Sequence, residues 1–213
     1  LAGSLWAMAS KVLIAADARG AAVDFVQELN VDPTPGRVVS ALPNGATIAV
    51  IGWPDLAMES IHLRRDVSVR VIDAYGEGAG LARALMRREV EVTEVPLTGL
   101  GQACATADVV IIEAAAAGPE ALIAPSGSYA AAICGLHAGK QTWVVVGAGR
   151  ALPQRFFEVI EDQLAKQNPL EADEEVVPMT VITHVVGPKG MTLSNVAMRE
   201  DCGVAAELLR PGL

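Results

Sequence analysis

Five places in this sequence hold residue types able to grip a small molecule or move a proton. Gly52-Trp53-Pro54-Asp55 follows the apolar run 47–51. Asp55 reads there as the oxygen acceptor that caps the next helix, and the competing reading is a ligand contact by Trp53 or Asp55. Asp73-Ala74-Tyr75-Gly76-Glu77-Gly78-Ala79-Gly80 ends a second run, 68–73. A glycine-rich turn opening a helix aims backbone N–H groups at a phosphate. Gly78 and Gly80 serve close packing equally well, and Asp73 suits sugar hydroxyls better than phosphate oxygens. Glu113, after the run 108–112, is the carboxylate placed for general acid–base work or for a hydrogen bond to a ligand. Ser126-Gly127-Ser128 opens a helix after Pro125, where hydroxyls beside free N–H groups form an anion seat and Ser126 acts as the cap. Gly147-Ala148-Gly149-Arg150 fails as a dinucleotide fingerprint, because Leu152 holds the third small position and Pro153 precedes the helix. Arg150 is read as the partner of a surface carboxylate in preference to an anionic ligand.

Composition narrows the chemistry further. The chain has 213 residues and a formal charge of −9, which argues against non-specific binding to a nucleic-acid backbone or an anionic membrane. Cys104, Cys134 and Cys202 are widely spaced, with no CxxC and no Cys/His cluster, so neither a disulfide framework nor a metal site is indicated. A reducing, cytoplasmic setting and no resident cofactor are expected. Cys134 lies among alanines and reads as a small core residue, not a nucleophile. His62, His137 and His184 fall on helix or strand bodies, and no Ser-His-Asp order with a nucleophile elbow occurs. No apolar run reaches the roughly 18 residues of a membrane span.

Groups like these need a frame that brings strand ends together, and the stretch 109–149 sets it. Val109-Val110-Ile111-Ile112 and Trp143-Val144-Val145-Val146 flank one small-residue helix, the pattern of strands buried on both faces of a parallel sheet. Strands are expected at 47–51, 68–73, 90–95, 108–112 and 142–147, alternating with helices at 55–65, 77–88, 97–105, 126–137 and 154–167. That alternation gives right-handed βαβ units in a doubly wound, Rossmann-like α/β sheet, with ligands outside the carboxyl ends of the strands. The connection carrying Gly118, Pro119 and Pro125 reads as a loop, and Glu171-Ala172-Asp173-Glu174-Glu175 as an acidic surface loop. A further strand is expected at 180–186, a turn at 187–190 and a short helix at 204–209. Before Gly45 the pattern is helical only, with two helices parted near Ala18-Arg19-Gly20 and a third at 37–42. The boundary divides a helical N-terminal segment, 1–45, from an α/β domain, 46–213.

Asp73-Ala74-Tyr75-Gly76 with Gly78, then 90–93, 108–115, Pro125-Ser126-Gly127-Ser128-Tyr129 and 143–146 come in a telling order. Over residues 46–155 that order resembles the eukaryotic translation initiation factor 2B regulatory-subunit (alpha/beta/delta) family. The superfamily also contains methylthioribose-1-phosphate isomerase and ribose-1,5-bisphosphate isomerase. The resemblance implies a homodimer associating through the α/β domain, with the Ala130-Ala131-Ala132 face either permitting close helix contact or packing on the sheet. It also implies a longer helical domain than residues 2–42 supply, so with Leu as first residue a truncated or reduced N-terminal part is expected.

Set against the family's pattern, the isomerases' groups are replaced. Their cysteine after the first strand of this domain is matched by Gly52-Trp53-Pro54-Asp55, and their catalytic aspartate's Gly-Ala-Asp element by Glu113-Ala114-Ala115. Ala124-Pro125-Ser126 stands for the Asn-Lys of the helix-start motif, and Tyr75 for the arginine of Glu-Ser-Arg-Pro. Losing a general acid or base costs about a hundredfold or more, so the family's isomerisation is not expected. What survives is a cradle for a phosphorylated sugar or nucleotide. Gly76, Gly78, Gly127 and Ser128 supply donors while Asp73 and Glu113 meet sugar hydroxyls, which requires Ser128 and Gly78 on one side of the molecule. Two alternatives accompany it: an isomerase-like enzyme with Glu113 or Asp73 as base, and, as the resemblance implies, a non-catalytic interaction or regulatory subunit in translation initiation with an unknown protein partner.

Overall fold

The computed structural model describes residues 3–74, 76–196, 198 and 200–209. Helices come first: α1 (Gly3–Ile14), α2 (Ala18–Asn30) and α3 (Thr34–Ala41). Asp17 starts α2 by accepting the Gly20 N–H at 3.0 Å. α3 opens at Thr34, ahead of the expected 37, because Pro35 fits a first turn that has no use for its missing N–H. Its last carbonyls are gathered by Arg64, which donates to the Val39, Leu42 and Pro43 oxygens at 3.0, 2.9 and 2.8 Å. Asp66 holds that guanidinium from the other side at 2.8 and 2.9 Å.

From Thr47 the chain alternates: β1 (Thr47–Ile51), α4 (Asp55–Glu59), β2 (Ser68–Ile72), α5 (Gly78–Met86), β3 (Glu91–Val95), α6 (Leu100–Thr106) and β4 (Val109–Glu113). It continues through β5 (Ala116–Ala117), β6 (Ala121–Pro125), α7 (Ser128–His137), β7 (Gln141–Val145) and α8 (Gln154–Leu164). β8 (Glu174–Pro178), β9 (His184–Gly187) and β10 (Gly190–Leu193) complete it. Seven strands form one sheet in the order β10-β9-β7-β4-β1-β2-β3, parallel throughout except where β10 folds back on β9. Val50, Val69, Ile111 and Trp143 on one face bury against α3, α4 and α5. Ala49, Ile72 and Val110 on the other meet α6 and α7. The strand order turns back between β1 and β4, so the crevice at their carboxyl ends is the topological switch point.

The chief departure from the expected pattern lies between β4 and α7. The presumed loop contains β5 and β6, which join β8 in a separate antiparallel sheet, β5-β6-β8. Leu122, Ile123 and Ala124 are wholly buried there, a short apolar run masked in the sequence by its flanking prolines. Its partner β8 absorbs Glu174 and Glu175, so the acidic stretch is in part a strand and Ala172 within it is buried. The strand expected at 180–186 begins only at His184, after a 3₁₀ turn at Met179–Val181. Likewise α4 stops at Glu59 and a 3₁₀ turn, Ile61–Leu63, drops Ile61 into the core in place of a longer helix. A 3₁₀ turn at Leu97–Gly99 similarly precedes α6.

Candidate functional site

The predicted site residues gather at the carboxyl edge of the large sheet. Gly52 ends β1 with φ +64°, and a methyl group there would sit 3.6 Å from Glu77 Oε2 and 4.0 Å from Pro125 Cβ. The turn before α5 and the turn before α7 therefore meet across Gly52. Gly127 lies against Ile51, whose Cδ1 is 2.7 Å from where a side chain would begin. Glu77, next to Gly78, and Pro125, three residues before Ser128, thus both reach Gly52 at this edge, although α5 and α7 pack on opposite faces of the sheet. Gly76, with φ +81°, is exposed beside them, whereas Tyr75 falls outside the described residues.

The Gly78 and Gly127 N–H groups, and others at this edge, already hold carboxylates of the chain itself. Glu113 Oε2 accepts from the Ala57 N–H at the head of α4, at 3.0 Å. Its Oε1 takes Arg150 Nη1 at 2.9 Å, and the same nitrogen reaches the Ala114 carbonyl at 2.8 Å. Burial raises the Glu113 carboxyl above its ordinary value, against the opposing pull of Arg150 and the Ala57 N–H. Asp73 Oδ1 accepts the Gly78 N–H at 2.8 Å and so caps α5. Glu175, from β8, places a single oxygen, Oε1, 2.8 Å from both the Gly127 and Tyr129 nitrogens at the head of α7. After β7, Asp32 Oδ2 takes the Ala148 N–H at 2.8 Å and Asp201 Oδ2 the Ala151 N–H at 3.1 Å. Each carboxylate stands where the positive end of a helix or turn would otherwise receive an anion.

Two of the expected caps are corrected by this geometry. Asp55 is the first helical residue of α4, with Pro54 in the cap position, and the acceptor there comes from Glu113. Ser126 does not cap α7 either: its hydroxyl donates to the Ala172 carbonyl at 2.6 Å, and the cap residue is Gly127 in a left-handed conformation, φ +98°. Ser128 Oγ is fully buried with no hydrogen-bond partner among the described residues. Arg150 pairs not with a surface carboxylate but with the largely buried Glu113. Burial pushes the Cys104 thiol up to about 12, towards its neutral form. Glu175, Asp32 and Asp201 escaped the sequence reading, since each reaches its N–H partner from a remote part of the chain.

Beside the crevice lie two cavities. One, of about 280 Å³, opens between α4 and α5 next to Trp53. The other, of about 630 Å³, lies at the ends of β7 and β9 and is lined by Val146, Val185, Lys11 and Lys189 among others. On the far side of α7, Tyr129, Ile133 and Leu136 remain 38%, 42% and 39% exposed, while Ala131 and Ala132 pack onto the sheet. Among the described residues no helix is long and apolar enough to cross a membrane.

No family model and no curated protein sequence matches the chain. Solved structures do. Translation initiation factor eIF-2B from Pyrococcus horikoshii OT3 superposes with a TM-score of 0.73 at 15% identity, over 90% of this chain and 76% of that one. eIF2B delta from Chaetomium thermophilum gives 0.67 at 19% identity, over 87% and 72%. A chain of the tetrameric eIF2B-beta2-delta2 complex from C. thermophilum gives 0.60 at 20% identity, over 71% and 56%. At such identities the likeness is one of architecture: this chain has the α/β fold, with helices preceding it, of the eIF2B subunits.

Proposed function

We propose that this chain is an eIF2B-like, non-catalytic subunit that works in the cytoplasm by associating with another polypeptide. The outer face of α7 carries the reading. Tyr129, Ile133 and Leu136 recur at i, i+4 and i+7 and stay exposed, an apolar stripe of the kind a partner helix covers. The partner is a second copy of the chain, in line with the expected homodimer and with a structural neighbour solved as a tetrameric complex. Occupied seats support the non-catalytic half. Asp73 and Glu113, the carboxylates placed for proton transfer, each accept a backbone N–H, and a general base needs reach to its substrate's proton. Sedimentation velocity across a concentration series tests the reading. The wild-type chain is expected to form a dimer and Ile133→Glu a folded monomer; a wild-type monomer throughout overturns it.

A second reading, binding of a phosphorylated sugar or nucleotide at Gly76, Gly78, Gly127 and Ser128, draws support from the unpartnered Ser128 hydroxyl. A phosphoryl group displacing Glu175 from the same turn would give that hydroxyl a partner. Titration calorimetry with ribose 5-phosphate and AMP decides it. Heat is expected from Glu175→Gln above that of the wild type, and silence from both proteins removes the reading.

A further inference from the structure

The groove between α4 and α5 is a separate feature with its own chemistry. Trp53 lies across Gly80, where a methyl group would stand 2.8 Å from indole Cζ3, and the residue is 42% exposed. Met58, Leu81 and Leu85 form an apolar floor. Asp55 and Glu59, one helical turn apart on α4, stand on the rim. Neither carboxylate has a hydrogen bond or ion pair among the described residues, unlike the seat-filling carboxylates of the crevice. Arg88 also lines the groove and donates to the Glu59 carbonyl at 3.3 Å, not to a carboxylate. We infer that this cavity of about 280 Å³ is a binding site for an organic cation with an apolar stem, of the alkylguanidinium or alkylammonium class. The exposed indole face attracts a cation, the two free carboxylates fix its charge, and the floor takes the stem. A volume of this size admits one side chain or one small amine.

The test follows the three tryptophan indole N–H signals by two-dimensional NMR, with Trp53 assigned from Trp53→Phe. Agmatine and the tripeptide acetyl-Gly-Arg-Gly-amide are titrated separately, with n-pentylurea as the neutral counterpart. The Trp53 signal is expected to shift with both cations and not with the urea. Trp143, buried and bonded to Gln141 Oε1 at 2.8 Å, stays still and reports an intact fold. Tighter binding of the tripeptide assigns the cation to a polypeptide, and tighter binding of agmatine to a free amine; both support the site. The surface variant Asp55→Asn/Glu59→Gln is expected to weaken binding about fivefold or more, and Arg88→Gln to tighten it about threefold. No Trp53 shift with either cation, an equal shift with the urea, or unchanged affinity in the double variant overturns the proposal.

Discussion

Replacing Glu175 probes whether the head of α7 is an anion seat filled from within. Its Oε1 receives two N–H groups at 2.8 Å, from Gly127 and Tyr129, in a half-buried position. Hydrogen bonds to a charged acceptor contribute about 1.5–3 kcal/mol each when dry. Water can replace the lost acceptor at this depth, so Glu175→Ala is expected to destabilise by about 1–2 kcal/mol, the upper range for losing a helix cap. For a chain of this length that lowers Tm by about 2–8 °C. Glu175→Gln keeps an oxygen acceptor and loses only the charge–dipole part, about 0.3–1 kcal/mol. Circular dichroism melts with sodium sulfate, set against sodium chloride of equal ionic strength, supply the second half of the test. Sulfate stabilises any fold somewhat by exclusion, so the informative quantity is the extra gain in Glu175→Ala over wild type. If the alanine variant melts with the wild type, or sulfate raises both proteins equally, the seat is not an anion site.

Other consequences follow from the same contacts. Because burial raises the Glu113 carboxyl above 4.5, its charge opposes folding at neutral pH and that penalty is relieved as pH falls through the folded value towards 4.5. The stability of Glu113→Gln relative to wild type should therefore be greatest near neutrality and decline on acidification; a relative gain on acidification in urea melts contradicts the assignment. Asp66 runs the opposite way: Arg64 and the Gly45 N–H hold it well below 3.8, so its contribution is present above 3.8 and is lost as pH falls below. Asp66→Asn should accordingly be destabilised at neutral pH, with the gap to wild type closing in acid. Gly127→Ala forces an alanine to φ +98° with its Cβ 2.7 Å from Ile51 Cδ1, and thermal melts should register a loss of about 1–3 kcal/mol.

What the sequence made legible were features with a local cause. β1, β4 and β7 are short, largely apolar runs and β2 and β3 alternate apolar with polar residues, and all five lie within a residue or two of their expected bounds. Three of the glycines that the sequence singles out, Gly52, Gly76 and Gly127, take positive φ, which explains why glycine stands there. The small sheet was illegible because β6 is recognisable as a strand only once β8 is known to lie beside it, with Ile123 opposite Val176 and Ala124 opposite Glu175. The same long-range pairing delivers Glu175 to Gly127, so one tertiary contact both turns the acidic stretch into a strand and supplies the acceptor at the head of α7. Local spacing points to Asp55 and Ser126 as caps because each is the nearest oxygen. The actual acceptors, Glu113 and Glu175, arrive through tertiary contact.

That substitution of remote for local acceptors bears on what the crevice can do. An active site that stabilises developing negative charge needs donors fixed in place and unsatisfied until substrate arrives. Folding favours the reverse, since an unmet donor at a buried helix end is unfavourable. In this chain the conflict is resolved towards folding at α4, α5 and α7, and again where Asp32 and Asp201 meet the loop after β7. An anionic substrate would have to expel a carboxylate from each seat it used, against a formal charge of −9. The surfaces left unsatisfied are of a different kind: an apolar stripe on α7, and an aromatic groove beside Trp53 with two carboxylates that have no partner among the described residues. Both suit recognition of another molecule's apolar or cationic surface, and neither requires the crevice to open.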